Sequence, residues 1–258
     1  MSNLLSDLTW VEAGEVIREG CTVMVPIGSN EQHGPHMPID CDSFYVTQVS
    51  EQVIDMLRDE MPIYRTPTIW TGYSPHHKSF PGTITLELDT FLSLIYDVCA
   101  SLIRHNVRRI VLINGHGGNG APLRSIGSKI GDHLGNSPFV FSYWEVLNEE
   151  KESMNVVQEG PSGIPGHAGE LETSFRMHLS PETIRQKELE QAEFITSDPN
   201  PHSSSIYQYA KSEDFTPKGY TGHPQWAKAE TGQAVMVRII DLISGILRDD
   251  YRNWKAQT

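Results

Sequence analysis

What most constrains this chain is an alternation. Short apolar runs rich in β-branched residues take turns with longer stretches whose apolar residues recur near every 3.6 positions. Strand-helix-strand units of this kind build a mainly parallel sheet covered by helices, because a parallel crossover needs a helix to bring the chain back. "CTVMVPIG" reads as the first strand and 43–60 as the helix after it. "PIYRTPTIW" is extended, and "LDTFLSLIYDVCASLIRHN" is a long amphipathic helix with Asp89 as its N-cap. "RRIVLING" is the clearest buried strand, "APLRSIGSKIGDHLG" the next helix and "SPFVFSYW" a further strand. Residues 147–168 read as a loop, and a helix begins near Gly169 and runs through "ELETSFRMHL". Residues 194–224 carry no sustained period; a surface excursion that long is expected to be functional or covered by a neighbouring subunit. A long amphipathic helix, "AETGQAVMVRIIDLISGILRDDYRNW", closes the chain. With 258 residues and no internal repeat, one α/β domain spanning 1–258 is expected.

Composition excludes several function classes. A hydrophobic share of 38% with 21% charged residues describes a chain that buries its own core rather than a disordered one. The net charge of -13, from 33 acidic against 20 basic residues, leaves no basic stripe for nucleic acid and reads as solubility. No basic segment followed by an apolar core opens the chain, and no apolar run approaches the ~18 residues of a membrane span. The expectation is a cytoplasmic protein that contacts neither nucleic acid nor membrane. Cys21, Cys41 and Cys99 have no paired spacing, so neither a disulfide framework nor a thiolate zinc site is expected.

The chemistry concentrates where strands end, which is where open α/β sheets bind ligands. After "VMVPI" comes "GSNEQHGPHMPIDCD", with Glu31, His33, His36, Asp40 and Asp42. "RRIVLI" runs into "NGHGGNG" and delivers His116; "FVFSYW" delivers Trp144 and Glu145. Imidazoles and carboxylates together suit zinc, manganese and related divalent ions. Glu31 and His33, two apart, point the same way in an extended segment, and a reversal through Gly34, Pro35 and Pro38 brings Asp42 back against them. An Asp shared between two ions is the usual bridge of a dinuclear site. "HGGNG" alone is equally a turn or a nest of N–H groups for an anion, and it lacks the Lys and Ser/Thr of a phosphate loop. In "GHAGELETS", His167, Glu170 and Glu172 lie where a loop becomes a helix; either Glu also complements the helix dipole, and their spacing lets only one face the site.

Four motifs in this order, "PIGSNEQHGPHMPIDCD", "HHKSFPGTITL", "NGHGGN" and "HAGELETS", with "GHPQWAKAETG" near the end, resemble the creatininase (creatinine amidohydrolase) family over nearly the whole chain. The resemblance implies a three-layer αβα sandwich around a mainly parallel sheet, assembly as a homohexamer, and two divalent ions per chain, Zn2+ and/or Mn2+ with Fe2+ an option. It implies Glu31 and His116 on one ion, His33 on the other and Asp42 between them. Creatininase proper has a carboxylate in "NGHYEN" where this chain has Gly118. Glu170, at a position apolar in creatininase proper, is the expected replacement on the second ion. Glu172 is expected behind the ligands, orienting one of them or His167, and His167 is expected to meet the substrate and pass a proton.

The implied function is a dinuclear metal-dependent hydrolase, in which a metal-activated hydroxide attacks a carbonyl of a small polar cyclic amide or related C–N substrate. Creatininase proper has a ring-stacking tryptophan shortly before the equivalent of His167, where "SGIPG" offers none; Trp144 matches a second family tryptophan. Tyr73, Ser74 and His77, in "GYSPHHKSFPG", are the further substrate-contact candidates, with His76 beside them. Two rival readings stand. One is carbon–carbon hydrolysis of a cyclic diketone such as 3-dehydro-scyllo-inosose. The other, of a different class, is a metal-binding maturation factor or peptide-processing protein.

Overall fold

A computed structural model describes residues 3–149, 157, 166–195 and 209–257. Four strands form one sheet: β1 (Thr22–Ile27), β2 (Ile63–Arg65), β3 (Arg109–Asn114) and β4 (Phe139–Ser142). Their order is β2-β1-β3-β4, and every pairing is parallel. Around the sheet lie α1 (Trp10–Arg18), α2 (Cys41–Leu57), α3 (Leu88–Arg104), α4 (Gly120–Leu134), α5 (Glu170–Leu179), α6 (Gln186–Glu190), α7 (Ser212–Phe215) and α8 (Ala229–Lys255).

The sheet is buried on both faces, as parallel strands with helical crossovers must be. Along β1, Val23, Val25 and Ile27 pack with α3 and α4 residues such as Phe91, Ile95, Leu123 and Ile126. Met24, between them, joins the other layer, where α2, α5 and α8 contribute Val46, Val49, Phe175, Ile239 and Ile243. β3 alternates the same way, with Ile110 and Leu112 on one side and Val111 and Ile113 on the other. Each fully buried aliphatic side chain contributes about 1.5–3 kcal/mol, so both strands are fixed in register by their pattern. The result is the expected αβα sandwich.

Local signals set two boundaries clearly. α1, which sequence periodicity did not single out, is held by a capping box in which Thr9 and Glu12 bond each other reciprocally, with Thr9 N donating to Glu12 Oε2 at 2.7 Å. α4 ends at Gly135, whose φ of 64° is the left-handed cap that glycine adopts at no steric cost. Asp89 is not an N-cap: α3 starts one residue earlier, with Glu87 at the cap position and no side-chain cap bond. The 194–224 excursion contains α7, a turn at Pro224–Trp226 and a bridge from Ile195 to Gly222; residues 196–208 lie outside the described residues, as does most of 147–168. No described helix is long and apolar enough to cross a membrane.

Candidate metal centre

β1 and β3 end side by side, Ile27 opposite Asn114, and the segments leaving them build the site. After β1 the chain runs out through Glu31 and His33, turns at Gly34 (φ 66°) and returns so that Glu31 N donates to Ile39 O at 3.0 Å. Asp42 then sits in the first turn of α2, facing back toward His33. After β3, Asn114 clamps the next residue but one: its Oδ1 accepts from His116 N (3.0 Å) and its Nδ2 donates to His116 O (2.7 Å). Asn119 bridges the loops by donating to Gly28 O (3.0 Å) and accepting from Tyr73 N (2.8 Å).

These constraints bring ligand atoms into two adjoining clusters. Asp42 divides its oxygens between them, with Oδ1 3.3 Å from His33 Nε2 and Oδ2 3.0 Å from His116 Nδ1. Glu31 Oε1 completes the first cluster, 3.1 Å from His116 Nδ1. Glu172 completes the second, its Oε2 3.9 Å from His33 Nε2, with His167 alongside. A third convergence joins Glu31 to His77 and His167, at 3.5 and 3.8 Å. Glu31, His33, Asp42 and His116 are each at most 5% exposed as side chains, whereas His167 and Glu172 are each 22% exposed, so the site opens toward solvent on that side.

Polar atoms buried here without aligned partners include Glu31 Oε1, His33 Nε2, Asp42 Oδ2 and His116 Nε2. Buried polar atoms are normally satisfied, and leaving one unpaired costs about 1–3 kcal/mol. Carboxylate and imidazole donors orphaned together, with one Asp reaching both groups, fit a pair of divalent ions. The preparation of His33 fits too: its Nδ1 lies 3.1 Å from Glu31 O, which can only accept, so Nδ1 carries the hydrogen and Nε2 is directed at the site.

Titration behaviour follows from the same packing. Burial favours a neutral His116, but Glu31 and Asp42 outweigh it and hold the ring up at about 10. His33 is likewise raised despite burial, through Cys41, Asp42 and Glu172. Burial pushes Glu31 up while His116, His77 and His167 pull it well below the usual carboxylate range. Glu172 is raised to about 7 by burial and by the neighbouring carboxylates. His167 is lowered to about 4 by burial and by His33.

The sequence-derived candidates divide. Glu31, His33, Asp42, His116 and His167 converge as described. Glu170 does not join any of the three clusters, although it is fully buried; Glu172 stands beside His33 instead. The two differ by two helical steps, about 200° around the axis, so α5 cannot turn both to the same side. Glu172 is held in place from its own turn, Oε2 accepting from Ala168 N at 2.5 Å. Ser74 meets Ser29 through their hydroxyls, and Ser29 Oγ donates to Glu31 Oε2 at 2.9 Å, so Ser74 supports the Glu31 carboxylate from behind. Tyr73 packs its ring on the core, as does Trp144, which lies edge-to-face on Tyr143. His36 turns away to α5, its Nε2 3.0 Å from Thr173 Oγ1. His76, named beside the substrate-contact candidates, stacks on His116 at 5.6 Å. One site residue is not among the sequence-derived candidates: Gln32, whose side chain lies between His77 and His167.

Comparison with known proteins gives consistent findings. Residues 6–247 match the family model described as Creatininase: Creatinine amidohydrolase. The chain is 30% identical over 227 residues to the mycofactocin precursor peptide peptidase of Mycobacterium tuberculosis (strain CDC 1551 / Oshkosh), covering 85% of this chain and 82% of that protein. It is 31% identical over 199 residues to the creatinine amidohydrolase of Pseudomonas putida, covering 71% and 74%. A solved structure described as a manganese form of creatininase superposes with a TM-score of 0.82 at 24% identity, covering 97% of this chain and 99% of that one.

Proposed function

The chain belongs to the creatininase family of hydrolases, and from that premise we propose that it uses two divalent cations to hydrolyse an amide C–N bond of a small polar substrate. The observation that carries this reading is Asp42, whose two carboxylate oxygens serve His33 and His116 separately. Glu31 and His116 would hold one ion; His33 and Glu172 would hold the other, with Asp42 shared between them. Zn2+ and Mn2+ suit this mixture of imidazole and carboxylate. Bound there, such ions supply Lewis-acid polarisation of a carbonyl and a water acidified toward neutral pH.

The chain's own groups perform the rest. Asp42 and Glu31 fix the spacing of the clusters, and Ser29 locks the Glu31 carboxylate from behind. His167, at the open side, is placed to hold a proton and release it to the departing nitrogen. Glu172 stands beside it and carries the negative charge that Gly118 cannot supply. An amide bond is the feature shared by the names of both relatives, a peptidase and a creatinine amidohydrolase. As family members of this kind, copies of the chain are expected to assemble with one another.

Proton NMR of the zinc- or manganese-loaded protein with creatinine, other cyclic amides, formamides, short peptides and oxidised inositols tests the proposal. Expected is C–N cleavage of at least one amide, lost on chelation and in Asp42→Asn. Turnover of the oxidised inositol alone, by carbon–carbon cleavage, or amide turnover that survives both chelation and Asp42→Asn, would overturn it.

A further inference from the structure

The third convergence, Glu31 with His77 and His167, has the composition of a cation site but is held differently from the other two. The difference lies in Gln32. Its Oε1 accepts from Gly34 N at 2.9 Å, which orients the carboxamide. Gly219 (φ 75°) packs onto that oxygen so closely that an added Cβ would fall 1.9 Å from it. With the oxygen pinned, the NH2 faces inward, 3.0 Å from His77 Nδ1 and 2.9 Å from His167 Nε2.

An amide NH2 can only donate. His77 Nδ1 must therefore be the bare nitrogen, which makes the ring neutral and puts its hydrogen on Nε2. That is the nitrogen facing Glu31 Oε1 at 3.5 Å. An N–H cannot ligate a cation. His33 is the opposite case: a carbonyl oxygen at its Nδ1 holds a hydrogen there, so Nε2, facing the site, is the nitrogen that becomes free once the ring gives up its second proton. His167 differs from both. Its Nε2 lies 2.9 Å from the Gln32 amide nitrogen and 2.8 Å from the Gln32 carbonyl oxygen, so either arrangement of its hydrogen finds a partner.

We propose that Gln32 is a positioning residue that fixes His77 as the Nε2–H tautomer, so that the Glu31–His77–His167 convergence excludes a cation and His77 donates toward the Glu31 carboxylate, while His167 keeps a movable hydrogen. The inference rests on the dinuclear reading for its importance but not for its test. One side-chain amide thereby sets how many ions the centre accepts.

Long-range 1H–15N correlation on metal-free full-length protein labelled with 15N-histidine reads the tautomers directly, with His77 assigned by its loss in His77→Gln or, should that variant fail to fold, by through-bond assignment. Expected is His77 with Nδ1 bare and Nε2 protonated. Gln32→Glu replaces the donor with an acceptor, and His77 should then carry hydrogen on Nδ1, with one more equivalent of zinc bound than in the unmodified protein. A protonated His77 Nδ1 in the unmodified protein, or a Gln32→Glu protein with unchanged tautomer and unchanged zinc equivalents, overturns the proposal. Because the tautomer is read without metal or substrate, its failure leaves the hydrolase reading standing. Loss of amide turnover in the function assay would likewise leave the tautomer result intact.

Discussion

Gly118→Ala is the sharpest perturbation the structure offers, because its neighbour provides an internal control. A Cβ built on Gly118 falls 2.4 Å from Tyr73 O and 2.5 Å from His116 Nε2, whereas one on Gly117 meets nothing within 4 Å. Ordinary Cβ contacts begin near 3.4 Å, so about 1 Å of movement must come from a backbone carbonyl or from a clamped histidine. Overpacking of this kind costs about 1–3 kcal/mol. For a chain of this size, at roughly 2–4 °C per kcal/mol, the expected drop in Tm is roughly 2–12 °C. Gly117→Ala should melt within about 1 °C of the unmodified protein. Calorimetry of the three metal-free proteins measures this, and zinc titration should show weaker binding for Gly118→Ala alone, since His116 is the group displaced. Equal melting of the two alanine variants, with equal zinc binding, would refute the loop geometry.

Two further predictions address α5 and the histidine packed against it. Glu172→Gln should weaken one of two zinc equivalents by at least ~10-fold while Glu170→Gln leaves both, measured by competition with a chromophoric chelator; the reverse pattern would return Glu170 to the centre. His36 is buried and lowered from 6.5 to about 4, first by desolvation and then by His33. A histidine whose folded value lies below its unfolded one makes the unfolded state bind more protons between those pH values, so stability rises with pH across that window and is lost on acidification from 6.5 toward 4. The difference amounts to about 3 kcal/mol. His36→Gln, which keeps a partner for Thr173, should remove that share of the acid sensitivity; denaturant unfolding at pH 7 and 4.5 compares the two, and identical pH dependence would contradict it.

Much of this is legible in the sequence. The apolar runs of β1 and β3 read as buried parallel strands because they are short, rich in β-branched residues and bounded by glycine and polar turns. Their ends located the site, and Glu31, His33, Asp42 and His116 needed only one chain reversal to meet. α1 was not legible, since its stability comes from the Thr9–Glu12 capping box and none of its residues is buried. Glu170 against Glu172 was undecidable for a similar reason. The spacing lets only one of the two face the site and the resemblance points to Glu170, but which one does depends on how α5 is rotated by its packing on α8 and α2, where Phe175 and Leu171 fill the core. Gln32 was invisible because an amide has no ligand signature. Its role arises only when Gly219, far away in sequence, closes on it.

The centre is therefore assembled from two halves with different freedom. One half, Glu31, His33, Asp42 and His116, hangs from strand ends and the start of α2. It is fixed by backbone clamps at Asn114 and Asn119. The other half, His167 and Glu172, comes with α5 and is latched to the first through side chains: Arg176 to Asp40 at 3.0 Å, Tyr45 OH to Glu172 O at 2.8 Å, and His36 to Thr173. Cations bridging Asp42 to Glu172 would add a further bond across that seam, so metal removal should loosen α5 and the turn before it more than the strand ends. Hydrogen exchange at Ala168 N, which donates to Glu172, against exchange at His116 N, which donates to Asn114, is the comparison that follows. Faster exchange at Ala168 alone after chelation would mean that the ions fasten the proton-carrying half onto a scaffold already rigid. Equal acceleration at both would mean that the strand-end ligands also depend on the ions, and the two-part division would fall.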